Sequence, residues 1–516
     1  MGMSFYLKPV SLALAVSLGL SACNDDTAVT TAPLPAFKVA LQYVSTFATA
    51  GAEIVAYDKA SKRMFITDAG NNTLHVVNIA DPAAPVLVSA INLAAYGTGI
   101  NSVDIKDGKV AVAVENKIDT ALDADTTADE HQRGKVVVFN AATLAEIRQY
   151  DVGFLPDMLT FTPDGKRILV ANEGEPNQAY TYDPVGSVSV IGLAGNTVTD
   201  IGFSDFNTGG ARAAEITSNI RIFGPGASVA QDLEPEYITV SPDSTKAWVT
   251  LQENNAIAEI DLTTLSINHI SSLRTKDYSQ TANAMDLSDR DSSVGNFKTW
   301  PNVVGMYLPD GIASYNVNGI TYLLTANEGD DREYSGFAEK KRLASVTPLS
   351  TALDAEKASD KLGRLNVSDV DGKTAGTLTT AHSYGARSFS IWSTSANLVY
   401  DSGNELDKKA VEASNYDDAR SDDKGMEPES VVTGSISGQT FAFVGLERGS
   451  KSSIAIYDVT SPASPVFNSY HVASNADVSP EGLKFIPAAD SPNGKDLLLV
   501  ANEVSNTTSI YTVNQQ

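Results

Sequence analysis

Thiols are almost missing from this chain. Of 516 residues only Cys23 is a cysteine, so no disulfide braces the fold and no thiolate cluster binds a metal. Histidine is scarce too: the five, His75, His131, His269, His382 and His471, stand at no zinc-like spacing. Past residue 22 there is no apolar run long enough to cross a bilayer. Positive charge is short, with 37 Lys and Arg against 63 Asp and Glu and a formal net charge of −26. With no basic stripe and no interleaved aromatics, binding to nucleic acid is excluded, because its phosphates would be repelled. The Gly-x-Ser-x-Gly nucleophile signature is absent, and Asp401-Ser402-Gly403 reads as a turn after an outer strand.

What the chain has is repetition. LPDMLTFTPDGKRILVANEG from Leu155 recurs as LEPEYITVSPDSTKAWVTLQEN from Leu233 and YLPDGIASYNVNGITYLLTANEG from Tyr307. It returns as MEPESVVTGSISGQTFAFVGLER from Met426 and VSPEGLKFIPAADSPNGKDLLLVANE from Val478. Each copy reads Pro-acid, apolar strand, polar turn, apolar strand, glutamate. Degenerate copies at Glu53–Asp68 and Asn101–Glu115 bring the number to seven, and a second strand pair follows each. Four antiparallel strands repeated seven times predict an all-β fold, a seven-bladed β-propeller with four-stranded blades. The last unit ends at TSIYTV without an outer strand, while the apolar segment Phe37–Phe47 has no partner of its own. Pairing the two predicts a ring closed by the N-terminal strand, with one domain over residues 37–516.

Residues 1–22 carry Lys8, the apolar run PVSLALAVSLGL and then Leu20-Ser21-Ala22-Cys23, a lipobox. They are read as a lipoprotein signal peptide; residues 23–36 hold the lipidated Cys23 and a flexible Pro-containing tether. Several acyl chains on one residue give stable membrane anchoring, at about 0.8 kcal/mol per buried methylene. Asn24 is not the aspartate that retains Gram-negative lipoproteins at the inner membrane. Export and lipid anchoring at the outer membrane or cell surface are expected, for a chain that acts as a monomer.

The turns at one end of the repeats are short. The insertions Asn116–Gly134, Glu175–Gly186, Ser204–Asp232, Ser271–Met306, Gly329–Gly385 and Asn404–Gly425 all fall at the other, which marks the face to search for chemistry. The repeated acids converge there as well. Asp157, Glu236, Asp310, Glu429 and Glu481 open first strands, and Glu173, Glu253, Glu328, Glu447 and Glu503 close second strands. Crowded like charges raise one another's pKa unless a cation neutralises them, and an all-oxygen set selects Ca²⁺ or Mg²⁺ over Zn²⁺. Arg332, Arg364, Arg387, Lys424 and Arg448 lie in or beside the same loops; of these, Arg332, Arg387, Lys424 and Arg448 are the candidates to hold an anion. Repeated acids near strand ends also have a structural reading, in which they accept backbone N–H bonds and lock neighbouring units.

The segments LEPEYI, LPDGIA, TANEGDDREY, LGRL, GARSFSIW, LVYDSG, MEPE, SPEGLKF and LLVANEVS together resemble the bacterial choice-of-anchor I proteins over Val39–Val513. The resemblance implies an extracellular β-propeller with its own surface anchor, related to a mesenchyme-specific cell-surface glycoprotein of animals. Members are often labelled alkaline phosphatase, but no catalytic residues carry over. Two functions stay open. One is a surface-anchored binding or scaffold module with a Ca²⁺-holding acidic face and an unknown ligand or surface partner. The other is a metal-dependent phosphoesterase, phosphatase- or phytase-like, in which a metal-bound water attacks phosphorus and Arg387 or Arg448 steadies the developing charge.

Overall fold

A computed structural model describes residues 37–119 and 127–516; the lipobox, the signal peptide and the tether lie outside the described residues. Second strands such as Arg167–Asn172 and Leu497–Asn502 read as unbroken apolar runs, ILVA and LLLVA, because both faces are covered. Outer strands such as Val86–Asn92 and Thr197–Gly202 are largely exposed. The described residues form an all-β, propeller-like array containing seven four-stranded antiparallel sheets.

In each sheet the strands follow chain order except the last. There Pro480–Ile486, Leu497–Asn502 and Thr507–Gln515 are completed by Val39–Ala48. That strand pairs antiparallel with Thr507–Gln515, from Val39 opposite Gln515 to Ala48 opposite Thr507. The first strands of the sheets are Ala52–Asp58, Gly99–Lys106, Pro156–Phe161, Pro235–Val240, Ile312–Val317, Pro428–Ile436 and Pro480–Ile486. Each packs beside the next, and the last packs beside the first. All seven line a channel of about 290 Å³.

The core lies between sheets rather than within one. Leu169, Ala171, Val188 and Val190 of the third sheet meet Ile238, Val249 and Leu251 of the fourth in one apolar cluster. Each fully buried aliphatic side chain of this kind contributes about 1.5–3 kcal/mol. Aromatics do the same further round, where Phe389 and Tyr457 stand 4.5 Å apart between the fifth and sixth sheets.

The insertions after residue 270 carry structure of their own. Thr275–Asp277, Val303–Met306 and Ala381–Ser383 build a small three-stranded sheet. Tyr278, Met285, Trp300, Leu343, Leu353 and Leu365 form a core of their own beside it. Lys276 pins this cap to the fifth sheet through the carbonyls of Ala386 and Gly403 and the carboxylate of Asp401. No described helix is long and apolar enough to cross a membrane.

Candidate functional site

The Pro-acid motif is a bulge. Register shifts fall between Ala52 and Val55, Pro156 and Leu159, Pro235 and Ile238, Pro428 and Val431, and Pro480 and Leu483. The acid of each motif, Glu53, Asp157, Glu236, Glu429 or Glu481, is the first of the two residues inside the shift. A bulge leaves one residue unpaired and re-aims its side chain, and proline is tolerated there because no ladder donor is needed.

The residue before the proline is often left-handed: Leu155, Leu308, Glu427 and Ser479 have φ of 46, 41, 50 and 57°. Strain of this kind persists only when neighbours fix it. The second strand supplies the fixing bond. The N–H groups of Glu173, Glu447 and Glu503 donate to the carbonyls of Leu155, Glu427 and Ser479 at 2.9, 2.9 and 2.8 Å. One backbone contact thus holds the two repeated carboxylates of a sheet side by side. The Asn that precedes the glutamate serves the strands instead: Asn172 bonds Ser187 and Ser189, and Asn327 bonds Ser388 and Ser390.

These carboxylates share one cavity of about 380 Å³. Asp157, Glu236, Glu429 and Glu481 line it from the starts of first strands and Asp310 from just before one, while Glu173, Glu328, Glu447 and Glu503 do so from just past the ends of second strands. Glu253 is not in the lining, although its Oε2 is buried without a partner. Sequence reasoning passed over Glu53, Asp330 and Gln252, which complete the wall. Glu53 was the findable one, since Ala52-Glu53 stands where the later repeats have Pro-acid. A second lobe of about 400 Å³ shares Glu53, Asp157, Glu173, Asp310 and Glu481 and adds Glu115 and Glu175.

Eleven carboxylates face two cations, Lys424 and Arg448, in the first cavity. Burial, followed by mutual repulsion, pushes Asp157 up to about 7 and Glu53 up to about 8. Glu447 rises to about 8 through burial first and repulsion from Glu427 second. Burial first, and the charge of neighbouring carboxylates second, raise Glu173, Glu236, Asp310, Glu429 and Glu481 well above the usual carboxylate range. Glu328 is raised by burial despite its contact with Lys424. Burial opposes the charge on Lys424, but Glu328, Asp330 and Glu427 outweigh it and keep the ammonium protonated.

Within the cavity Glu328, Glu429 and Glu447 each bring an oxygen within 4.8 Å of the others. Glu328 is held by Lys424 at 2.5 Å and by Gln252 at 2.8 Å. Glu447 contacts Arg448 at 2.9 Å. Glu429 is 8% exposed, and its Oε2 is buried without any partner, as is Oε2 of Glu236. A buried carboxylate oxygen with no donor is costly unless something cationic meets it. Gly329 and Gly385 frame the spot, because a Cβ on Gly329 would meet the amide of Gly385 at 2.2 Å and one on Gly385 the carbonyl of Glu328 at 2.3 Å. Their φ values of 105 and 67° together with these close approaches favour glycine, and let both ends of the long insertion pass beside Glu328.

Two of the four cations expected at this face are spent elsewhere. Arg332, 1% exposed, bonds Asp232 and Glu234. Arg387, fully buried, donates to the carbonyls of Asp286, Ser421 and Asp423. Neither lines the cavity, since both guanidiniums lie in the interior and bond other residues there. Lys424 and Arg448 remain. Arg364 pairs with Asp289 and Asp422, also away from it.

A family model described as "Choice-of-anchor I domain" matches residues 53–462. Gigasin-3a of Magallana gigas is 30% identical over 183 residues, which cover 30% of this chain and 64% of that protein. The chain therefore spans a little under two thirds of the length of that relative. A solved structure of a streptogramin B lyase superposes with a TM-score of 0.46 at 10% identity, covering 92% of this chain and 98% of that one.

Proposed function

This chain belongs to the choice-of-anchor I family, and on that premise we propose a surface-associated binding or scaffold module whose acidic face holds Ca²⁺, or failing that Mg²⁺. The observation that carries the cation is the trio Glu328, Glu429 and Glu447, with ligand oxygens within 4.8 Å of one another and Oε2 of Glu429 buried unpartnered. Carboxylate oxygens are the hard donors that Ca²⁺ takes, and water would complete its coordination. The seven sheets are read as blades of one propeller closed by Val39–Ala48. The cyclic contacts of the first strands and the channel that all of them line support that reading. The lipid on Cys23 is the anchor in this scheme, carried by the sequence alone.

Titrating the EDTA-stripped protein with Ca²⁺ and Mg²⁺ by calorimetry tests the cation. Uptake that Glu429→Gln abolishes supports it, and no uptake of either ion at millimolar concentration refutes it. A phosphate-ester assay run in parallel separates binding from hydrolysis. Ca²⁺-dependent turnover lost in Glu429→Gln would replace the scaffold role with phosphoesterase chemistry.

A further inference from the structure

The trio Glu328, Glu429 and Glu447 follows a plan that the repeat uses twice. Glu328 stands in Ala-Asn-Glu-Gly past the second strand of the fifth sheet, and Glu429 and Glu447 belong to the sixth. There Pro428 pairs with Leu446, and Glu429 and Glu447 are the residues that follow them in the chain. The fourth sheet keeps this register: Pro235 pairs with Leu251, and the residues that follow are Glu236 and Gln252. Past the second strand of the third sheet the same Ala-Asn-Glu-Gly supplies Glu173. The equivalent set is thus Glu173, Glu236 and Gln252, and all three line the cavity of about 380 Å³. Glu253 falls one residue late, which is why Gln252 is in the wall and Glu253 is not.

Backbone packing brings this set together. A Cβ on Gly186 would meet the carbonyl of Leu233 at 2.0 Å, Cδ of Pro235 at 2.7 Å and the carbonyl of Glu173 at 3.1 Å. The chain at Glu173 therefore passes beside the step from Pro235 to Glu236, with only a glycine between.

The side chains are short of partners. Glu236 is 7% exposed, lines the cavity, and has Oε2 buried without any partner, the same atom that Glu429 leaves open in the trio. The trio has Lys424 and Arg448 beside it. Glu173 and Glu236 make no ion pair among the described residues, and the charges that bear most on them are all carboxylates. Gln252, 3% exposed, donates from Nε2 to Oε2 of Glu328 at 2.8 Å and to the Leu308 carbonyl at 3.3 Å. With its nitrogen committed toward the trio, Oε1 is left as an acceptor on the other side of the amide, and amide oxygens are ordinary Ca²⁺ ligands.

We propose that the cavity takes a second Ca²⁺, held by Glu173, Glu236 and Oε1 of Gln252, with the Gln252 amide standing between it and the trio. The proposal rests on the reading of this face as cation-holding, not on occupancy of the trio. Lys424, Arg448 and one divalent ion leave most of the eleven carboxylates uncompensated. A second ion at the set without a cation of its own meets the open oxygen of Glu236, whose burial is otherwise costly.

The test counts ions. The EDTA-stripped full chain is dialysed to equilibrium against Ca²⁺ up to about 5 mM, above the range of extracellular calcium modules, and bound Ca²⁺ per chain is measured. Wild type takes up two ions, Glu236→Gln one, Glu429→Gln one and the double variant none. Glu236→Gln removes a repelling charge, so in EDTA it melts no lower than wild type, and its lost ion then reports a lost ligand. Should it melt lower, Glu173→Gln reads the same ion in its place. One wild-type ion that Glu236→Gln removes and Glu429→Gln keeps supports this site and refutes the trio. One ion lost in both variants is a single shared ion and overturns the second site. A count that Glu236→Gln does not lower overturns it as well, and no uptake by wild type overturns both.

Discussion

Lys424 holds its ammonium 2.5 Å from the carboxylate of Glu328, so that a residue of the insertion Asn404–Gly425 is the resident counter-ion of the glutamate just past the second strand of the fifth sheet. The same ammonium lies 3.0 Å from Asp330 and 3.6 Å from Glu427. A divalent ion at Glu328, Glu429 and Glu447 would share its first ligand with this lysine.

Lys424→Met should therefore cost metal-free protein roughly 3–5 kcal/mol, the penalty for stranding a buried partner. Added Ca²⁺ should restore more stability to the variant than to wild type, since the competitor is gone. Urea melts in EDTA and in Ca²⁺ check this; equal Ca²⁺ responses would show that Lys424 does not compete.

Glu429→Gln keeps shape and removes a repelling charge. In EDTA the variant should be at least as stable as wild type, because burial and neighbouring acids already hold this carboxyl well above its usual range. In Ca²⁺ the order should reverse. The check is melting temperature against Ca²⁺ concentration, where a wild-type excess of about 2.7 kcal/mol is expected at a hundredfold of the dissociation constant.

Acid groups whose folded pKa is raised bind more protons folded than unfolded, so stability falls as pH climbs between the two values. Glu53, Glu253 and Glu447 move from 4.5 to about 8. Metal-free protein should lose stability steadily from about pH 5 to about pH 8. Ca²⁺ should flatten that slope by favouring the ionised forms. Denaturation midpoints at each pH decide it, and a metal-free midpoint that rises over this interval would contradict the carboxylate assignment.

Asn468 fastens the strand that completes the last sheet. It accepts from the N–H of Val39 at 2.7 Å and donates to the Phe37 carbonyl at 2.8 Å. Asn468→Ala should cost about 1–3 kcal/mol, and deletion of residues 37–47 far more, by baring a sheet edge. Deleting residues 24–35 should leave the melting temperature alone. Equal effects of the two deletions would count against closure.

Cys23→Ser should release the protein from membranes. Salt-washed outer-membrane fractions provide the measurement; quantitative sedimentation of the variant would rule out the lipid anchor.

The repeating units were legible because five of the seven sheets use one short phrase for the same job: Pro-acid at the start of the first strand, an apolar run buried on both faces, then a closing glutamate. Convergence of Asp157, Glu236, Asp310, Glu429 and Glu481 follows from that phrase. The left-handed residue before the proline does not, because Leu155 and Ser479 carry no mark of backbone strain in their names. Arg332 and Arg387 misled for a related reason. A cation in a long insertion looks available in sequence, yet these insertions fold on a core of Tyr278, Trp300 and Leu365, and that burial depends on contacts across tens of residues. Glu53 stayed hidden because its repeat has Ala52 in place of proline.

Lys38 and Gln516 exchange backbone hydrogen bonds, at 3.3 Å from the N–H of Lys38 and 2.8 Å from that of Gln516. A short peptide joining them, with fresh ends opened at the Asn318-Gly319 turn between Ile312–Val317 and Ile320–Ala326, would be a circular permutant with every strand pairing intact. The chain ends are thus topologically portable: both this turn and the Lys38–Gln516 pair stand on the rim away from the acidic cavity, so moving the ends from one to the other leaves every residue of that cavity where it is.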